Sequence, residues 1–142
     1  MAKPVDDARG RCLHGPASLD LPPPATRRVL IVRLTAIGDV LHTLPVLAAL
    51  KRVEPEAEVD WLVDKRAADL LAAHPLLHLR WIWPGKRPWR TVSEAWNVLR
   101  GLHAQRPYDV VLDLQGLLKS AMLGWWVPAQ QRWGFGVRTA RE

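Results

Sequence analysis

The sequence lacks most of the marks of a nucleotide-, metal- or membrane-binding protein. Its lone cysteine, Cys12, cannot form an internal disulfide, which fits a reducing compartment. No run of about 18 apolar residues is present to span a bilayer. The N-terminus also has no signal-peptide core, so the expectation is a cytoplasmic location. The fingerprint G-x-G-x-x-G is missing at the first strand–helix turn, where Gly38 stands alone, and no G-x-x-x-x-G-K-[ST] occurs anywhere. These absences argue against a dinucleotide or nucleoside triphosphate at that turn. No D-x-D pair is available to hold a divalent cation on a sugar nucleotide. His42, His74, His78 and His103 do not have zinc-ligand spacing. The expectation is therefore no metal and no cofactor.

What is present suits one domain with a core. The chain has 142 residues, 49% of them apolar, enough to fold but too short for two ordinary domains. Residues 1–26 contain Leu-Pro-Pro-Pro and no apolar periodicity, and read as a disordered, Pro-rich extension. Three basic and three acidic side chains cancel there, so the net charge of +6 lies entirely beyond Thr26. Arg80 to Arg106 holds six basic residues against the single acid Glu94. A basic face suits nucleic acid, anionic lipid or a phosphorylated ligand. No nucleic-acid-binding motif accompanies it, so nucleic acid is not expected as a partner.

From Arg28 the apolar pattern alternates in the α/β manner. Strands are expected at Arg28–Leu34, Glu58–Asp64, Leu79–Trp83 and Asp109–Leu114, with a fifth at Gln131–Phe135. The second alternates as Val59, Trp61 and Val63. Helices are expected over Asp39–Val53, with Pro45 kinking it or opening its main segment, over Ala67–Ala73, over Thr91–Gln105 capped by Thr91 or Ser93, and over Leu117–Trp126. Strand–helix crossovers of this length imply an α/β fold, a doubly wound parallel sheet occupying residues 27–142. The chain ends at Thr139-Ala140-Arg141-Glu142, straight after a predicted strand and without a closing helix. The sequence reads as cut off rather than finished.

Three segments carry candidate chemistry. The first is TAIGDVLHTLP, Thr35–Pro45, where a strand ends, Gly38 turns the chain and Asp39 opens a helix. Ligands of α/β sheets bind at such carboxyl edges. Asp39 admits two readings: a first-turn aspartate answering free N–H groups, or a general base facing an acceptor hydroxyl. Its pKa is pulled down by the helix terminus and up by burial in a cleft. The second segment is DLQGLLKS, Asp113–Ser120, which projects Gln115 and Lys119 at the same edge. Taken alone, Lys119 reads as a solvated helix lysine. The third is Lys86-Arg87-Pro88-Trp89-Arg90, either a solvated basic loop or a set of arginine forks for phosphate or carboxylate, with Trp89 placed to stack on a sugar.

TAIGDVLHTLP, VDWLVD (Val59–Asp64), DLQGLLKSA (Asp113–Ala121) and TARE (Thr139–Glu142), in this order and spacing, resemble the N-terminal domain of the ADP-heptose-dependent glycosyltransferases of family 9, which build the lipopolysaccharide inner core. Within that family the similarity is to the type I heptosyltransferases, since type II has an asparagine after a proline where Leu114-Gln115 stand here. The resemblance implies the N-terminal, Rossmann-like half of a GT-B enzyme whose C-terminal donor domain is absent from these residues. It implies an inverting, metal-independent transfer of heptose from ADP-heptose to Kdo of Kdo-lipid A. Asp39 would be the catalytic base, with Arg87, Arg90 and Arg141 gripping the acidic acceptor and Lys119 and Gln115 beside them. Pro88 departs from the basic residue usual in that loop. A peripheral position on the cytoplasmic face of the inner membrane follows from such an acceptor. The competing expectation is a non-catalytic module that binds an anionic glycolipid.

Overall fold

The computed structural model describes residues 26–85 and 88–134, with side chains omitted at 88–91. Among the described residues nine elements follow one another: β1 (Arg28–Val32), α1 (Ile37–Val53), β2 (Glu58–Asp64), a 3₁₀ turn (Ala68–Leu71), β3 (Leu79–Trp83), α2 (Pro88–Ala104), β4 (Tyr108–Asp113), α3 (Leu118–Trp126) and β5 (Ala129–Gly134). The strands form one parallel sheet in the order β3-β2-β1-β4-β5. The chain winds outward from β1 in one direction, then returns to wind in the other. This is the doubly wound architecture expected from the crossovers.

Helices cover both faces. Val29 and Ile31 of β1, with Val59, Trp61 and Val63 of β2, pack against Val40 and Leu47 of α1 and against the 3₁₀ turn. Leu30, Val32 and Leu62 point the other way, onto Leu102 of α2 and Leu123 of α3. Every residue of β1 is buried. So is all of β2 after Glu58, and the alternation of Val59, Trp61 and Val63 does not leave the residues between them exposed. A central strand of a parallel sheet has no solvent face, so Asp60 and Asp64 are enclosed along with the valines.

Local chemistry shifts several boundaries. α2 starts at Pro88, ahead of both Thr91 and Ser93, so neither is its cap. Proline suits the first helical position because its fixed φ is helical and the N–H it lacks would have no partner there. Pro45 does not interrupt α1, which runs unbroken to Val53. The predicted helix Ala67–Ala73 is only one 3₁₀ turn. Gly38 does not turn the chain, since it lies inside the first turn of α1. Two other glycines admit close packing: a Cβ on Gly101 would lie 2.6 Å from the Trp81 ring, and one on Gly124 3.3 Å from Val111. α2 and α3 settle onto the sheet at these points.

Candidate functional site at the carboxyl edge

The strand order reverses between β1 and β4, and the segments after these strands diverge there to opposite faces. Such a switch point leaves a crevice at the carboxyl ends of the strands. Its two sides are stitched together by side chains. The Gln115 Oε1, just beyond β4, accepts hydrogen bonds from the Leu34 N–H at 2.9 Å and the Thr35 N–H at 3.1 Å. Its Nε2 lies 3.4 Å from Thr35 Oγ1. In the opposite direction, the Arg33 guanidinium donates through Nη1 to the Leu114 carbonyl. These bonds satisfy backbone groups that the ends of β1 and β4 leave unpaired.

The turn after β4 is built around Asp113. Its Oδ1 accepts from the Gln115 N–H at 2.9 Å and the Gly116 N–H at 3.4 Å, while Ser120 Oγ donates to Oδ2 at 2.9 Å. Gly116 has φ +72°, a left-handed conformation that favours glycine. Asp-x-x-Gly followed by serine thus fixes where α3 begins and aims Gln115 back at β1. Lys119, in the first turn of α3, holds Nζ 5.4 Å from the centre of the Trp83 ring at the end of β3. Its ammonium is placed by an aromatic face at this edge.

Asp39 is the third residue of α1. Its Oδ2 accepts from the Ala36 N–H at 3.2 Å and lies 2.5 Å from Arg33 Nη2. Among the described residues none donates to Oδ1, and the side chain is 49% exposed. Of the opposing influences on its pKa, those favouring ionisation prevail. The Ala36 N–H, then the Arg33 charge, hold the carboxyl below its ordinary 3.8 against a smaller push from burial. Asp39 is therefore ionised at neutral pH, anchored through one oxygen and open at the other. Gly38 beside it has nothing within 4 Å of where a Cβ would lie, so the helix start is uncrowded.

Asp39, Gln115 and Lys119 thus lie at one edge of the sheet. Arg87 and Arg141 fall outside the described residues, as does the Arg90 side chain, although its backbone belongs to the first turn of α2. Sequence reasoning missed Arg33, which ties Asp39 to the far side of the crevice. The available signal was a lone cation directly after a fully apolar strand. It also missed Asp60 at the amino edge, which is fully enclosed and bonded to Arg28 Nη2 (2.9 Å), Tyr108 OH (2.5 Å) and His78 Nδ1 (3.0 Å). No group of three or more His, Cys, Asp or Glu suited to a metal occurs among the described residues. No helix among them is long and apolar enough to cross a membrane.

Known proteins resemble this chain in sequence and in fold. Residues 95–142 match glycosyltransferase family 9 (heptosyltransferase). Lipopolysaccharide heptosyltransferase 1 of Pseudomonas aeruginosa is 38% identical over 123 residues, covering 81% of this chain and 34% of the relative. The structure of the E. coli heptosyltransferase WaaC with ADP superposes with a TM-score of 0.70 at 34% identity, covering 81% of this chain and 38% of that one. E. coli ADP-heptose lipopolysaccharide heptosyltransferase II shares the fold, with a TM-score of 0.61 at 20% identity over 75% of this chain and 30% of that one. The chain spans about a third of the length of the relatives it matches. By sequence and by fold, it belongs to the family 9 heptosyltransferases and corresponds to the N-terminal part of lipopolysaccharide heptosyltransferase 1.

Proposed function

We propose that this chain is the acceptor-binding half of a heptosyltransferase that moves L-glycero-D-manno-heptose from ADP-heptose to Kdo of Kdo-lipid A. The observation that carries the reading is the state of Asp39. It is ionised, gripped through Oδ2 by Arg33 and the Ala36 N–H, and open through Oδ1 at the switch-point crevice. In the reaction Asp39 Oδ1 takes the proton of a Kdo hydroxyl as that oxygen bonds to the heptose anomeric carbon. The bond from that carbon to ADP breaks on the opposite side, and its electron pair leaves with ADP. Configuration at the carbon is inverted. A carboxylate with a lowered pKa is a weak base, so proton removal comes late, once the leaving group has begun to depart. No metal takes part in this scheme.

Arg87, Arg90 and Arg141 supply the anion clamp for the phosphorylated acceptor, with Lys119 as a further cation at the edge. Gln115, a neutral amide, contributes by fixing the two sides of the crevice through its hydrogen bonds. Donor binding falls to a second domain outside these residues. The acceptor's lipid places the protein peripherally on the cytoplasmic face of the inner membrane. One observation favours the rival, non-catalytic module: the Asp39 bond to the Ala36 N–H is what a helix-opening aspartate makes anyway.

Substitution separates the two. With residues 27–142 replacing the corresponding part of the Pseudomonas relative, ADP release is followed with ADP-heptose and Kdo-lipid A. Asp39→Asn keeps the shape and the bond to Ala36 but loses basicity, so turnover should fall roughly 10²–10⁴-fold with binding of Kdo-lipid A unchanged. Turnover near the unsubstituted level would leave Asp39 a purely structural role.

A further inference from the structure

α3 turns an apolar face to solvent. Leu118, Met122 and Trp125 are 72%, 64% and 76% exposed, and Trp126 is about half exposed. They recur at the i, i+4, i+7 and i+8 spacing of one helical stripe. The stripe continues onto α2, where the Trp96 ring lies 6.4 Å from that of Trp126 and Val92 is exposed one turn earlier. Between the two helices a groove of about 330 Å³ is lined by Trp96, Leu99, Arg100, His103, Ala104 and Trp126. The face is also held rigid. Arg132 of β5 donates to the carbonyls of Gly124 at 3.2 Å and Val127 at 2.6 Å, tying down the end of α3.

We propose that this face is an interfacial anchor, which inserts its tryptophans and leucine into the headgroup region of an anionic bilayer. Two features of the surface select that occupant. Three of its large side chains are tryptophan, whose amphipathic ring settles at the boundary between water and hydrocarbon. Among the described side chains of α2 and α3 its exposed cations are Arg100 and Lys119, α3 carries no acid, and Glu94 is the only acid in the sequence of α2. Such a face is attracted to anionic lipid, whereas two copies of a chain with net charge +6 repel each other. A short amphipathic helix lying in the interface needs only a shallow insertion of its apolar stripe. Leu118 begins the stripe at the carboxyl edge of the sheet, the edge that carries Asp39. A protein anchored this way holds its crevice against the surface from which a lipid-linked acceptor projects. This last point rests on the function proposed above, but the anchor itself does not.

The test uses the full chain and vesicles without Kdo or ADP-heptose, so its outcome is independent of transfer. Co-sedimentation is measured with vesicles of phosphatidylglycerol and phosphatidylethanolamine, and with phosphatidylcholine alone. Salt is raised from about 0.15 M to about 1 M, where screening shortens from about 8 Å to about 3 Å. The anchor predicts binding to the anionic vesicles that weakens with salt but persists at the upper concentration. The double substitution Leu118→Ser and Trp125→Ser should reduce that persistent binding by about tenfold or more, since two inserted apolar side chains are lost. Both positions face solvent, and circular dichroism checks the fold. As a milder variant, Trp125→Phe should retain binding while reducing the quenching of tryptophan emission by lipids brominated near the headgroup. Complete release at high salt, or equal affinity of the double variant, would overturn the proposal. So would self-association in solution that the double substitution abolishes, because the face would then be a dimer contact. If the chimera with the Pseudomonas relative ignores vesicles that the chain binds, the face is covered within the longer protein and the anchor is excluded.

Discussion

Tyr108→Phe isolates the polar centre at the amino edge of the sheet. The change removes one oxygen, from a phenol that is fully enclosed and donates to Asp60 Oδ2 at 2.5 Å. The ring keeps its packing and its stacking under the Arg28 guanidinium, 4.6 Å from the ring centre. Asp60 keeps Arg28 and His78 as partners, so its charge stays compensated. What is lost is one hydrogen bond to a charged acceptor, a contribution of about 2 kcal/mol. Urea unfolding followed by circular dichroism should show the midpoint falling with an unchanged slope. A pH series sharpens the test. Burial, then the Asp60 carboxylate, raises the Tyr108 pKa well above its ordinary 10.0. The folded state therefore keeps a proton that the unfolded chain gives up. That stability is fully present below about pH 10 and is lost as pH rises from there toward the folded value. Because Tyr108 is the only tyrosine, its ionisation can be followed by ultraviolet absorbance without interference from another phenol. It should ionise only as the protein unfolds, and the phenylalanine variant should lack this alkaline component. A loss below about 0.5 kcal/mol, the range of ordinary surface substitutions, would show that the enclosed bond contributes nothing beyond what water offers the unfolded chain. Ordinary titration of Tyr108 in the folded protein would refute the burial argument directly.

Two further outcomes follow from the geometry. The Asp39 carboxyl, followed by nuclear magnetic resonance, should titrate below 3.8, so its contribution to stability is present above that pH and fades as pH falls through the folded value; Arg33→Met should raise the midpoint only in part, because the Ala36 N–H, the larger cause, remains. Gly101→Ala should destabilise despite a helix-propensity gain of about 1 kcal/mol, since its Cβ would meet the Trp81 ring at 2.6 Å, whereas Gly38→Ala, with open space around it, should be neutral or stabilising in the same unfolding assay.

The sheet was legible because its information is local. The run Val29–Val32 is too short for a helix and too apolar for an edge, and right-handed crossovers limit where its neighbours can go. The start of α2 was less legible, because Thr91 and Ser93 carry the usual cap chemistry while Pro88 competes from three residues upstream. Least legible were contacts between distant residues. Asp60 looked like the polar half of an alternating strand, yet its partners lie 18, 32 and 48 positions away. No pattern within β2 announces them. The switch-point stitching has the same character, since Gln115 meets Leu34 across 81 positions. Its local half was readable, with Asp113, Gly116 and Ser120 forming a turn. Its target was not.

The two edges of the sheet show why exposure, rather than pairing, separates a supporting carboxylate from a candidate base. Asp60 and Asp39 both accept from an arginine, at 2.9 Å and 2.5 Å. Asp60 has three side-chain donors shared over both oxygens and no exposed surface. Every lone pair used there holds strands together, and no reactant can reach it. Asp39 places both its bonds on Oδ2 and leaves half its surface in water, with Oδ1 unengaged among the described residues. Arg33 adds a second asymmetry, because the guanidinium that charges Asp39 also bonds to Leu114 across the crevice. A carboxylate anchored by one oxygen to both sides of a switch point has little freedom to rotate away from a bound acceptor. The same bonds that lower its basicity fix its direction, and that combination is what the proposed late proton transfer to a weak base requires.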